Sequence, residues 1–321
     1  MSLKEWTEEQ FRGALLGCAV GDSLGAPLEG LSREAIAKVE DFTSVFKPFR
    51  GYQAGQYTDD TQLTMAIAES ICRMGCVDGA DIAKSFVILW DSDEIVGAGP
   101  VAKEAVEQLK AGVSWREAAN RDGKSFNGAA MRAGPLGLWE SSDLEQRQHA
   151  VTDASIITHA HPDAIAAALV VANAVAAPCS PTDAKPFLEY VIAGVQDISP
   201  TVAQYITELT KWWMIDEGRL LARIVEVTGQ KPMPGFGISV LASPTILTAL
   251  AALLRSPEDY LQTIKFTIRA GGDVDTTAAI AGAISGAHLG IAAIPENLVR
   301  DIKDSEHINN VARQLFALKQ S

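Results

Sequence analysis

Ala270-Gly271-Gly272-Asp273-Val274-Asp275-Thr276-Thr277, continued by Ala278-Ala279-Ile280-Ala281-Gly282-Ala283-Ile284-Ser285-Gly286-Ala287, sets the frame for the whole chain. Its second half carries small side chains on every face, which predicts a helix buried on all sides at the centre of a helical fold. The glycine pair lets the backbone turn tightly before the acids. Working outward, apolar residues recur at helical spacing through 80–90, 101–109, 165–175, 202–215 and 244–254, and sustained alternation of the strand type is absent. Breaks such as Gly97-Ala98-Gly99-Pro100 and Pro232-Met233-Pro234-Gly235 separate these runs. No stretch has the polar or Pro-rich composition of a linker. The expectation is an all-α fold, a compact bundle of many helices forming one domain over residues 1–321.

Local signals refine this outline. Ser114-Trp115-Arg116-Glu117 has the pattern of a capping box and predicts a helix start. Pro162 fits the first turn of a helix beginning near Asp163, where its missing N–H costs nothing. Trp212 and Trp213 read as core and rim of a helix rather than as a stacking platform.

Composition excludes several functions. The 321 residues carry a formal charge of -13 with 47% hydrophobic and 21% charged residues, so the chain is neither disordered nor equipped with a nucleic-acid surface. The polar N-terminus, Met1 to Gln10, lacks the apolar core of a signal peptide, and the apolar run 164–177 is too short to span a bilayer. The four cysteines, Cys18, Cys72, Cys76 and Cys179, have no zinc-ligand spacing. Cys72 and Cys76, one helical turn apart, read as ordinary buried thiols. Together these features predict a cytoplasmic protein without membrane contact.

Two acidic clusters carry the chemistry. Tyr57-Thr58-Asp59-Asp60-Thr61 precedes the helical pattern 63–71, and Asp273-Val274-Asp275-Thr276-Thr277 precedes the small-residue helix. Either alone is explained by the preference of helix N-termini for acids. If the two loops met, their carboxylates could not be buried together without compensating cations, and oxygen donors suit Mg²⁺, Mn²⁺ or Ca²⁺ rather than zinc. A third run, Gly13 to Glu29, is an apolar Gly-rich helix ending in an acid. Within it Asp22 reads as a buried hydrogen-bonding residue rather than a ligand.

At these residues the sequence resembles the ADP-ribosylglycohydrolase family, whose members remove ADP-ribose from arginine, serine and other acceptors. The carriers are Gly21-Asp22-Ser23-Leu24-Gly25-Ala26 with Glu29, Thr58-Asp59-Asp60-Thr61, Asn127-Gly128-Ala129-Ala130-Met131-Arg132, Thr158-His159, and Gly271-Gly272-Asp273-Val274-Asp275-Thr276. The resemblance spans nearly the whole chain. It implies an all-α domain with a binuclear site for two Mg²⁺ or Mn²⁺ ions at helix N-termini. Thr58, Asp59 and Asp60 would bind metal from one loop and Asp273, Asp275 and Thr276 from the other. Glu29, Asp60 and Asp275 would be the catalytic acids, with Asp275 bridging and Glu29 over the site. Gly97 and Gly99 match a loop that cradles the diphosphate, Gly123, Ser125 and Asn127 a second substrate loop, His159 a residue near ribose and phosphate, and Ile238 an apolar contact to the adenosine half. Read without the resemblance, Gly97 and Gly99 end a helix, His159 is a satisfied loop histidine, and Arg269 forms a structural ion pair.

The implied substrate is an ADP-ribosylated protein or an ADP-ribose-containing small molecule. Arginine-type members carry an acid in the loop that here reads Val96-Gly97-Ala98-Gly99-Pro100-Val101. This chain has none there and is closer to the serine-type pattern, with Asp91, Asp93 and Glu94 the upstream acids available to substitute. Arginine, serine and O-acetyl-ADP-ribose linkages all stay open. Two other readings compete: a non-catalytic ADP-ribose binder or structural protein on the same fold, and a binuclear metal phosphohydrolase acting on nucleotides.

Overall fold

The computed structural model describes residues 5–121, 123–140, 142–230 and 237–320. Seventeen α-helices are present among them. There is no strand among the described residues, only the isolated bridges Phe49–Tyr52, Phe126–Leu241 and Ile238–Gly272, so the architecture is all-α. No described helix is long and apolar enough to cross a membrane. The Pro232-Met233-Pro234-Gly235 break lies outside the described residues.

Val274–Leu289 is the central helix, and every residue of it from Val274 to Ala287 is buried. Its closest neighbour is the N-terminal helix Glu8–Gly25, which runs antiparallel to it. The contact is built on glycines four residues apart. Gly13 faces Gly286, Gly17 faces Gly282, Gly21 faces Ala278 and Gly25 faces Asp275, and an added Cβ at any of the four would lie within 2.5 Å of backbone on the opposite helix. The N-terminal helix carries no side chain at any of the four contacts, so its backbone reaches the backbone of the central helix. Asp22 and Asp275 are thereby drawn toward one end of the pair. The Tyr260 hydroxyl donates to Gly17 O at 2.7 Å and fixes the same contact from the Tyr260–Arg269 helix.

Around this pair pack Asp59–Met74, Pro162–Ala176, Ala242–Arg255 and Ser305–Gln320. Pro162 occupies the first turn of its helix, with His161 as N-cap. Two local expectations fail. Ser114 opens only a turn, in which Glu117 N donates to Ser114 O at 2.8 Å, because the following residues 118–120 do not continue in helical conformation. The run 202–215 is helical only to Leu209. Apolar periodicity continues past the helix end because a tight turn, Trp212 N to Leu209 O at 3.1 Å, still buries Trp212. Arg255 then satisfies the free carbonyls of Trp213 and Ile215 at 2.9 Å each. Cys76 is exposed and Cys72 half-buried, so the expectation of buried thiols fails for Cys76; all four cysteines are free.

Candidate functional site: an acidic cavity at converging helix ends

Helix N-termini place the acids. Thr58 is the N-cap of Asp59–Met74, which puts Asp59 and Asp60 in its first turn. Asp273 is the N-cap of the central helix, with Asp275 in its first turn. Before it, Gly271 and Gly272 take φ of +70° and +82°. A Cβ at Gly272 would sit 2.0 Å from Ile238 O, so only glycine lets the loop run this close to Ile238, which clamps it by two hydrogen bonds: Ile238 N to Gly271 O and Asp273 N to Ile238 O, both 2.9 Å.

The two acidic loops meet. Thr276 Oγ1 lies 3.3 Å from Asp60 Oδ2, and the Thr58 hydroxyl lies between Asp22 Oδ1 at 2.9 Å and Asp60 Oδ2 at 3.0 Å. Asp22 is wholly buried and accepts from the backbone N–H of Thr58 and Thr61 and from the Thr61 hydroxyl at 2.6 Å. It braces the first loop from behind. Asn127 Nδ2 donates to Asp273 Oδ2 at 2.5 Å and ties a third segment to the acids.

These side chains line a cavity of about 240 Å³. The lining combines Glu29, Asp59, Asp60, Asp273, Asp275 and Thr276 with the apolar Pro100, Val101, Phe126, Met131 and Val240. Oxygens of Glu29, Asp273 and Asp275 lie within 4.8 Å of one another. Glu29 is at the rim, half-buried, and its Oε2 is 2.7 Å from the Arg50 guanidinium. Arg50 and Gly51, both with positive φ, form the two-residue turn between Phe49 and Tyr52 that presents that guanidinium. None of the four aspartates forms a salt bridge among the described residues.

Burial raises every acid here, and repulsion from neighbouring carboxylates adds to it at Glu29, Asp59, Asp60 and Asp275. Asp22 is pushed up to about 6 by burial, against the pull of its hydrogen bonds. Asp59 rises to about 8 through burial and the charges of Asp22 and Asp273. Asp60 and Asp275 go well above the carboxylate range for the same reasons. A folded pKa above the unfolded value means that stability is complete below the unfolded pKa, about 4, and is lost as pH rises through the folded one. With divalent cations chelated, the thermal midpoint should therefore fall between pH 5 and pH 8, read by circular dichroism. A midpoint that rises across that window would contradict the assignment.

The remaining sequence-derived residues are divided. Gly97 and Gly99 belong to a loop held on the acids: Asp59 N donates to Val96 O at 2.7 Å, and Gln62 bonds Glu94 O and Val96 N. They do not end a helix, since the preceding one stops at Asp91; Gly99 is the N-cap of Pro100–Lys110. His159 lines the cavity and also a side pocket of about 50 Å³ shared with Gly123 and Lys124. Ser125 stands beside the cavity, its carbonyl accepting from Ala242 N at 2.8 Å. Ile238 contributes its backbone to the acidic loop; it is not among the cavity-lining residues and belongs instead to the lining of a separate groove with Arg33 and Leu221. Arg269 makes no ion pair among the described residues; its Nε bonds Lys265 O within its own helix. Asp91 pairs with Lys110 at 2.7 Å on the surface, and Asp91, Asp93 and Glu94 are not part of the cavity lining. Sequence reading overlooked Arg50, Phe126 and Val240. Only Arg50-Gly51 offered a signal, as a turn between two aromatics.

The sequence profile of the ADP-ribosylglycohydrolase family matches residues 4–321. The chain belongs to the ADP-ribosylglycohydrolase family. This glycohydrolase-family chain is 31% identical over 315 residues to an uncharacterised protein of Archaeoglobus fulgidus, covering 97% of each. It is 27% identical to ADP-ribosylhydrolase ARH3 of Mus musculus, covering 97% of this chain and 92% of that one. It is 26% identical to ADP-ribosylarginine hydrolase Tri1 of Serratia proteamaculans, covering 96% and 79%. A solved structure titled ADP-ribosylglycohydrolase-related protein complex shares the fold, with a TM-score of 0.74 at 24% identity over 97% of this chain and 98% of that one. This member of the family is accordingly a hydrolase.

Proposed function

We propose that the cavity hydrolyses the bond between C1 of the distal ribose of an ADP-ribosyl group and its acceptor, releasing ADP-ribose. The observation that carries this reading is a cavity whose lining combines five carboxylates with apolar side chains. Asp60 Oδ1 is buried with no hydrogen-bond partner, and the aspartates around it form no salt bridge among the described residues. An all-oxygen donor set of this charge fits hard divalent cations. Asp59, Asp60, Asp273 and Asp275, with Thr58 and Thr276, would hold two Mg²⁺ or Mn²⁺ ions. Bound there, the ions supply positive charge for orienting ribose hydroxyls and acidifying a water.

The protein's own groups supply the rest. Glu29, the half-exposed acid at the rim, is placed to take or give a proton at the scissile bond. Phe126 and Val240 offer an apolar surface to the adenosine half. Asn127 holds Asp273 in register, and the loop carrying Gly97 and Gly99, held beside Asp59, would offer backbone N–H groups to the diphosphate. That loop carries no acid, Asp91, Asp93 and Glu94 lie outside the cavity lining, and Glu29 at the rim is already paired with Arg50. This supports an O-linked acceptor, a serine side chain or O-acetyl-ADP-ribose, over arginine. The free cysteines suit a reducing cytoplasm.

One assay panel tests the reading: serine-linked peptide, arginine-linked protein and O-acetyl-ADP-ribose, each with Mg²⁺, Mn²⁺ or chelator. Intact ADP-ribose should be released from the O-linked substrates, with at least about a hundredfold loss on chelation. AMP or phosphate as product would indicate a phosphohydrolase. ADP-ribose binding without turnover would indicate a binder.

A further inference from the structure

Two residues of the sequence motifs, Arg132 and Thr158, have no part in the chemistry above, yet both are buried, at 1% and 0% exposure. Arg132 comes from the turn that carries Asn127 and Gly128. Its guanidinium donates to Gly128 O at 2.8 Å, Ala154 O at 3.2 Å and the Thr158 hydroxyl oxygen at 2.6 Å, and it lies over the Phe86 ring at 5.0 Å. Arginine only donates, so the Thr158 oxygen must accept. The Thr158 hydroxyl proton then needs an acceptor of its own. The other partner within reach among the described residues is His159 Nδ1, at 2.8 Å.

If Nδ1 carried the proton instead, the Thr158 hydroxyl would receive two donors and its own hydrogen would be buried without a partner, a costly arrangement. The satisfied arrangement leaves Nδ1 as acceptor and puts the imidazole proton on Nε2. The ring lines the cavity, and its Nε2 has no protein partner among the described residues. It also rests on Gly128, where a Cβ would lie 2.5 Å from Cε1 and 2.7 Å from Nε2. The turn that fixes Asp273 through Asn127 therefore also seats the imidazole.

We propose that Arg132 and Thr158 are positioning residues that hold His159 as a neutral imidazole with its proton on Nε2, where it donates a hydrogen bond to an oxygen of the bound substrate and takes no part in acid–base chemistry. Burial and the neighbouring Arg132 charge act in the same direction, pushing the His159 pKa down to about 3. The donor role rests on the cavity being an ADP-ribose site. The tautomer does not, so the two ideas fail separately.

Long-range ¹H–¹⁵N correlation spectra of the full-length ¹⁵N-histidine-labelled protein decide the tautomer, with His159→Gln used to assign the signal among the five histidines. We expect His159 to show a bare Nδ1 and a protonated Nε2, unchanged between pH 5 and pH 8. In Thr158→Val that pattern should be lost, and the Kd for ADP-ribose should rise about tenfold, the scale of one hydrogen bond to a charged group, with kcat nearly unchanged. Thr158→Ser should restore both. A wild-type His159 protonated on Nδ1, or titrating in this range, would overturn the proposal even if Thr158→Val failed to fold. Normal ADP-ribose affinity in a folded Thr158→Val protein would overturn the donor role. A wild-type protein that shows the expected tautomer and binds no ADP-ribose would overturn the reading of the cavity and leave the relay standing.

Discussion

Replacing Asp275 with Asn is expected to abolish ADP-ribose release while making the cation-free protein more stable. Asp275 is buried at 4% exposure, on the first turn of the central helix. Its surroundings press on it from several sides: burial first, then the charges of Asp273, Asp60, Glu29 and Asp22. Without cations, one fewer charge relieves that repulsion, and the amide keeps an oxygen for the Thr276 N–H that Asp275 Oδ1 now accepts at 3.0 Å. The melting midpoint in chelator should rise by at least about 2 °C, the shift of roughly 1 kcal/mol in a chain this size. With Mg²⁺ or Mn²⁺ added the order should reverse, because binding stabilises only the protein that can hold the ions. Turnover should fall by about 10³-fold or more, the scale of losing a preorganised electrostatic group. Opposite shifts in stability with and without cation distinguish a ligand from a structural carboxylate, which would lower the midpoint in both buffers. Retained turnover in cation-free buffer would end the scheme.

The sequence made the acidic loops legible because their pattern is local. An acid pair beside a Thr at a helix start is visible in five residues, and the glycines before Asp273 announce the turn that carries it. The central helix was equally plain, since a run of Ala, Gly and Ser from 278 to 287 has no surface face. Other features were hidden because they depend on partners far away in the chain. Arg50 reaches Glu29 only through a hairpin turn, and Phe126 and Val240 come to the same cavity from segments that meet only where residues 126 and 241 bridge. Ile238 could be placed beside the acids, but not its part there: its backbone clamps the acidic loop, and the residue lines a neighbouring groove rather than the cavity. The failed helix at Ser114 shows the limit of a cap signal. A capping box can satisfy the first N–H groups, but it does not make a helix propagate: Ala118 and Ala119 are buried here in a bend rather than on a helix face.

Gly21→Val is expected to be strongly destructive, because it acts on fold and site together. An added Cβ at Gly21 would lie 2.2 Å from Ala278 O and 2.7 Å from Ala278 C, both backbone atoms of the central helix that cannot rotate away. Relief requires the two helices to move apart, which opens the contacts at Gly17 and Gly25 as well. Overpacking of a close contact costs about 1–3 kcal/mol when side chains can adjust. Here they cannot, so a loss of at least about 3 kcal/mol is expected in urea unfolding monitored by tryptophan fluorescence. Asp22, the next residue, braces Thr58 and Thr61 at 2.6–3.1 Å, so displacement of its helix carries the first acidic loop away from the second. Divalent cations should then rescue little of the lost stability, in contrast to a cavity-forming change such as Leu15→Ala elsewhere on the same helix. A Gly21→Val protein with wild-type stability and an intact cation response would show that the helices are not held at backbone contact, and that the meeting of the two acidic loops does not depend on it.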